Sequence, residues 1–226
     1  MNSNKLYERY VSTQAHEHPG KEEYPVLKAY FGKFLTNNKK AEMCDIGCGS
    51  GNFLMWLHSL GYENAIGIDV SPEQIERGKS LGVKNLVLGD ARDFLREHPN
   101  HFDVIFARDI LEHFKKEEAL ELMALIRGSL KEKGYFVCQT LNGESLLAGR
   151  LFFGDLTHKT AYTWRSARQI CLLSGLSEPD VYPQRPVIKG VRSLMRYCAW
   201  MGVEACLRLY LISATGDGKG VFTQDL

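Results

Sequence analysis

Two hydrophobic rhythms alternate along most of this chain. Over residues 22–35, Val26, Leu27, Tyr30, Phe31 and Phe34 recur every three or four positions, which predicts an amphipathic helix closed by the polar run Asn37 to Lys40. A short apolar run then reaches Asp45, and a second, from Ala65, ends on Asp69. Between them Phe53, Leu57 and Leu60 share a helical face, with Gly61 as C-cap. Ser71, Pro72 and Gln74 read as N-cap, first-turn proline and capping-box partner of a helix ending near Gly82. Further strands are predicted at 84–88, 103–107 and 134–139, with a helix over 116–131. This alternation predicts an α/β fold, a doubly wound, mostly parallel, Rossmann-like sheet flanked by helices. Right-handed crossovers then line up Asp45, Asp69, Asp90 and Arg108 on the carboxyl edge of the sheet, where open α/β folds bind ligands.

Beyond Thr140 the alternation breaks. Residues 141–164 read as an inserted loop, 165–173 as a helix, 176–182 as a strand and 187–212 as a mostly apolar helical appendage. The longest uncharged run of that appendage, 197–203, is far shorter than the ~20 residues a bilayer span requires. Burial against the domain or a homodimer contact is expected there, with a basic patch resting on a membrane surface as the alternative. Residues 1–20 form a polar N-terminal arm, and the 226 residues make one domain.

Net charge is +1, without a long basic run, so no nucleic-acid partner is expected. The N-terminus lacks the apolar core of a signal peptide. None of the six cysteines forms a Cys-x-x-Cys pair, so free thiols in the cytoplasm are expected.

The candidate chemistry is concentrated in three stretches. In CDIGCGSGN, Gly47, Gly49 and Gly51 follow a strand directly, which lets backbone approach a ligand with no Cβ in the way. Asp69, at the tip of the next strand, can accept hydrogen bonds from both hydroxyls of a ribose. In ARDILEHF, a helix starting near Asp109 would put Asp109, Glu112 and His113 on one face, although Asp109 and Glu112 also have capping-box spacing. In GDLTHKTAYTW, Asp155 and His158 sit in an aromatic-rich loop able to close over the same edge, or forming only an Asx turn. Asp90 could equally be a helix N-cap.

The glycine pattern resembles the first motif of class I S-adenosylmethionine-dependent methyltransferases. Its third glycine arrives one residue earlier than in the dinucleotide fingerprint, and Asp45 precedes the turn, which suits a donor with an ammonium and a sulfonium. The succession YVST, CDIGCGSGNF, GIDVSPEQ, GDARDF, ARDILEHF, QTLNGES, GDLTH and VFTQDL is similar to a bacterial methyltransferase group associated with O-antigen and capsule polysaccharides. The resemblance covers nearly the whole chain, with Leu141 where a proline is common and Lys131 to Gly134 in place of a Pro-Gly-Gly turn. It implies S-adenosylmethionine as cofactor, bound by Asp45, Gly47, Gly49, Gly51, Asp69, Val70 on the adenine face, Asp90 and Ala91 at the adenine amine, and Arg108 near the methionine part. Ubiquinone-pathway and small-RNA O-methyltransferases carry Glu-x-x-Glu-His as a divalent-metal site. The matching positions are Asp109, Glu112 and His113, joined by His158, and they suit Mg²⁺, Mn²⁺ or Fe²⁺. His113 and His158 are the candidate general bases. An O-methyltransferase acting on a sugar or nucleotide-sugar hydroxyl is expected, the alternatives being a quinone precursor, a nucleic-acid end, or a non-catalytic cofactor-binding module.

Overall fold

A computed structural model describes Tyr7, Ser12 and residues 20–226; the predicted N-terminal arm otherwise lies outside the described residues. Five parallel strands form one sheet in the order β3-β2-β1-β4-β5: β1 Met43–Ile46, β2 Ile66–Asp69, β3 Leu86–Leu88, β4 Phe102–Arg108 and β5 Leu130–Gln139. From residue 20 onward the α-helices are α1 Tyr24–Phe31, α2 Asn52–Ser59, α3 Pro72–Ser80, α4 Ala91–Arg96, α5 Lys116–Ser129, α6 Ala148–Phe152, α7 Trp164–Leu173 and α8 Val191–Thr215. All four residues of β1 are buried because helices cover both of its faces. On one face Leu27, Phe31, Phe53 and Trp56 pack with Met43 and Phe106; on the other, Leu95, Leu122 and Ile126 pack with Cys44 and Ile105. Burial of such side chains contributes about 1.5–3 kcal/mol each.

Local signals explain the helix ends. Gly61, at φ +87°, follows the last residue of α2 and its cap, as only a residue tolerant of left-handed backbone can do at low cost. Ser71 Oγ accepts from Gln74 N at 3.4 Å and Pro72 opens α3, but the capping box is half-formed: Gln74 Oε1 is buried without a hydrogen-bond partner among the described residues.

Three expectations are corrected. The strand expected over 176–182 is irregular chain; Pro179, in its middle, lacks the N–H a ladder needs, and Pro183 follows it directly. The 141–164 loop contains α6. No α-helix starts at Asp109: β4 hydrogen bonding continues through it, Asp109 N to Gln139 O at 3.0 Å, and its φ of +52° turns the chain into a single 3₁₀ turn, Leu111–His113. The Asp109–Glu112 capping box therefore does not form.

The appendage is anchored by charge. Glu204 in α8 accepts from Arg185 Nε and Nη2 at 2.9 Å each and from Arg208 Nη2 at 2.8 Å. Asn142, fully buried, donates to Val221 O at 2.7 Å and Thr223 O at 2.8 Å, and so ties the C-terminal segment beside the end of β5. Among the described residues no helix is long and apolar enough to cross a membrane.

Candidate active site

A cavity of about 420 Å³ opens at the carboxyl ends of β1, β2 and β4. It is lined by every residue predicted to hold the donor: Asp45, Gly47, Gly49, Asp69, Val70, Asp90, Ala91 and Arg108, with the exception of Gly51. A larger cavity of about 850 Å³, bounded by β5, α7 and residues 176–184, contains none of the predicted site residues. The chemistry therefore belongs with the smaller one.

The glycines do different work. A Cβ on Gly47 would lie 2.6 Å from Ile110 Cδ1, and one on Gly51 would lie 2.8 Å from Val83 Cγ1, so these two are required for close packing. Gly49, at φ +55°, would place a Cβ no nearer than 3.8 Å to its closest neighbour, the Gln74 amide, and keeps the cavity wall low. Asp69 buttresses the turn: Oδ2 accepts from Gly49 N and Oδ1 from Ser71 N, both at 2.8 Å. Burial raises the Asp69 carboxyl, and these amides pull it back down.

Asp45 is the anomaly of the site. It is 2 % exposed, and its Oδ1 has no hydrogen-bond partner among the described residues. Burial pushes its carboxyl up to about 7 against the opposing pull of Arg108. A buried carboxylate oxygen left unmatched is costly unless a cation or donor is brought to it. Arg108 lies over the rings of Phe53 and Phe31, 4.8 and 5.5 Å from their centroids, and its Nε is likewise unmatched among the described residues. Asp90 caps α4 through Arg92 N at 2.8 Å and pairs with the Arg92 guanidinium, so the N-cap alternative is realised while Asp90 also lines the cavity.

At the far end of the cavity the inserted loop is sewn to the 3₁₀ turn. Lys159 N and Thr160 N donate to Glu112 O at 2.7 and 3.1 Å, and Thr160 Oγ1 donates to Phe114 O at 2.8 Å. These bonds bring His158 beside His113, ring centroids 4.8 Å apart. One donor atom from each of Glu112, His113 and His158 lies within 4.8 Å of the others, a spacing that can hold a metal ion. Of the three, only His113 lines the cavity. Asp109, predicted as a fourth ligand, is outside this set; the turned backbone at Asp109 directs it to the Gln139 amide instead, at 3.2 Å. Glu112 is fully buried; Oε2 accepts from Thr140 Oγ1 at 2.9 Å, Oε1 has no hydrogen-bond partner among the described residues, and burial reinforced by Asp109 raises its carboxyl. Burial, with His158 beside it, pushes the His113 imidazole down to about 4. The His113 ring is therefore suited to offering a lone pair near neutral pH.

Sequence reasoning missed several neighbours. Tyr7 lines the cavity, sits edge-on to His113 at 6.3 Å, and is pushed up to about 12 by burial. Gln74, Asn52, Glu23 and Lys159 line it as well, and Asp225 is raised to about 7 by burial close to Asp109. Asn52, Gln74, Lys159 and Asp225 lie in the stretches CDIGCGSGN, GIDVSPEQ, GDLTHKTAYTW and VFTQDL, which did not say what these side chains would touch, and Tyr7 and Glu23 lie in none of them.

The sheet order, glycine cradle and carboxyl-edge cavity define a class I S-adenosylmethionine-dependent methyltransferase domain. A family model described as a methyltransferase domain matches residues 20–176, more than half of the chain, and the chain belongs to that family. A solved S-adenosylmethionine-dependent methyltransferase from Archaeoglobus fulgidus is similar at 26% identity and a TM-score of 0.60, over 77% of this chain and 74% of that one. The small RNA 2′-O-methyltransferase of Schizosaccharomyces pombe is 32% identical over 108 residues, 39% of this chain and 28% of that protein. The tRNA U34 carboxymethyltransferase of Aeromonas salmonicida is 32% identical over 104 residues, 43% of this chain and 31% of that protein. The chain thus spans about three-tenths of the length of these two curated relatives.

Proposed function

We propose that this domain transfers the methyl group of S-adenosylmethionine to a hydroxyl of a small polar acceptor, a sugar or nucleotide-linked sugar of surface-polysaccharide synthesis. The observation that carries the reading is Asp45 Oδ1, buried and unmatched among the described residues at the head of a glycine-lined cavity. The ammonium of a methionine tail is the group such an oxygen calls for. Asp69 takes the ribose hydroxyls, Val70 the adenine face, Asp90 and Ala91 the adenine amine, and Arg108 the methionine end. Gly47, Gly49 and Gly51 shape the turn beneath the donor.

When bound, the donor supplies a methyl group already activated by the sulfonium. The protein aligns the acceptor oxygen and removes its proton. As the oxygen–carbon bond forms, the carbon–sulfur bond breaks with its electrons left on sulfur, and the hydroxyl proton passes to His113 or His158 as general base. Alternatively, Glu112, His113 and His158 would hold a divalent ion, Mg²⁺, Mn²⁺ or Fe²⁺, which would supply acidification of the hydroxyl in place of the general base. Two imidazoles and a buried carboxylate at the methyl end suit an alcohol, a weak nucleophile, better than an amine. The carboxyl groups around that end, Asp109, Glu112, Asp155 and Asp225, disfavour an anionic group beside the reacting hydroxyl.

A second reading, methylation of the 2′-hydroxyl at an RNA end, is favoured by the similarity to the fission-yeast small RNA 2′-O-methyltransferase. S-adenosylhomocysteine release from purified protein, with monosaccharides, nucleotide sugars, quinone precursors and short RNAs, before and after chelation, separates these readings. Turnover on a carbohydrate is expected. Donor binding with turnover on none of the acceptors would overturn the proposal in favour of a cofactor-binding module.

A further inference from the structure

We infer that Thr157 and Asp155 are positioning residues that set which nitrogen of His113 carries the proton. The inference rests on reading Glu112, His113 and His158 as the acceptor-side cluster. Thr157 Oγ1 lies 2.6 Å from Asp155 Oδ1 and 2.8 Å from His113 Nδ1. The Asp155 carboxylate can only accept, so the single hydroxyl proton of Thr157 goes to it. The hydroxyl oxygen must then accept from the ring, which puts a proton on His113 Nδ1 and leaves Nε2 with a lone pair.

Asp155 Oδ1 also accepts from Thr157 N at 2.8 Å, so the Asx turn that the loop could have made for its own sake is what aims the hydroxyl. His158 reaches the same tautomer by another route. Its Nδ1 is 3.0 Å from Phe152 O, a carbonyl that can only accept, so Nδ1 holds the proton and Nε2 a lone pair. Two imidazoles in this tautomer cannot hydrogen-bond to each other through their Nε2 atoms. With the Glu112 carboxylate they form a set of acceptors suited to a cation or to the proton of an alcohol. Hydrogen bonds on the far nitrogen of a ligating imidazole ordinarily serve this purpose.

The test uses ligand-free, full-length protein labelled with ¹⁵N in histidine, read by long-range ¹H–¹⁵N correlation, with H113Q and H158Q assigning the signals. Wild-type His113 and His158 are expected as Nδ1–H tautomers. T157V, similar in size and lacking the hydroxyl, should lower the Nδ1–H to Nε2–H ratio of His113 roughly tenfold, with T157S restoring it. The His158 signals should not move in T157V, which reports that the loop is still folded. A wild-type His113 protonated on Nε2 would overturn the assignment whether or not T157V folds, and so would a T157V ring that keeps the wild-type ratio. Mn²⁺ calorimetry on the same samples separates the two layers. Wild-type protein with the expected tautomers that fails to bind Mn²⁺ would refute the metal reading alone and support the positioning assignment.

Discussion

Replacing Asp45 with Asn tests the donor site most directly, because it should change stability and binding in opposite directions. The ligand-free protein holds a fully buried carboxyl raised from 3.8 to about 7, with one oxygen unmatched among the described residues. At 1.36 kcal/mol per unit of pKa, ionised Asp45 costs the folded chain at most about 4 kcal/mol. The folded value lies above the unfolded one, so this cost is absent below about pH 4, grows as pH rises and is complete above about pH 7. D45N keeps the shape and removes the charge. At pH 8 it should melt higher than wild type, and the gain should vanish near pH 4. Donor affinity should fall, since a charge-assisted hydrogen bond is worth about 1.5–3 kcal/mol, or roughly 10–100-fold. Calorimetry with S-adenosylmethionine reads this, and 5′-methylthioadenosine, which lacks the amino-acid tail, should bind both proteins alike. Wild-type affinity for the full donor should weaken as pH drops below about 7, and D45N should show no such inflection. Equal affinity of the two proteins for S-adenosylmethionine at pH 8 would refute the reasoning.

Two further outcomes concern the frame around the site. N142A leaves the Val221 and Thr223 carbonyls without their buried donor, and should cost about 2–4 kcal/mol in urea unfolding with faster amide exchange over 221–226; a loss under about 1 kcal/mol would count against that tie. Hydrogen bonds from Arg185, with Arg208 second, hold the Glu204 carboxyl down to about 2, so its stabilisation is present above about pH 4.5 and lost as pH falls toward 2. E204Q should therefore melt below wild type at pH 7 by about 1–2 kcal/mol, screened at the half-exposed arginines, and match it near pH 2; a gap that does not change with pH would argue for packing instead.

Local chemistry made the donor half of the site legible in sequence. Gly47, Gly49 and Gly51 are required by backbone that turns at positive φ within a few residues, and the capping residues Ser71 and Pro72 act on their own turn. Strand–helix alternation then fixed which strand ends meet, because parallel pairing and crossover handedness leave few other arrangements. The start of β5 was hidden by the register irregularity opposite Phe102 and Val104, and the expected 176–182 strand contains Pro179, whose missing donor matters only where a partner strand is there to pair with.

The proposed acceptor half was decided by tertiary contacts. Helical spacing suggested Asp109, Glu112 and His113 on one face, but Asp109 is still held in the β4–β5 ladder and the chain turns too tightly for that face to exist. What joins His113 to His158 is 45 residues of chain folded back and fastened through the Glu112 carbonyl, and what orients His113 is a hydroxyl in that returning loop. Sequence alone determined the strand tips and the cradle between them, since those obey rules spanning a few residues. The partner of each side chain around His113 and His158 depends on where distant backbone comes to rest, and only the folded protein decides that.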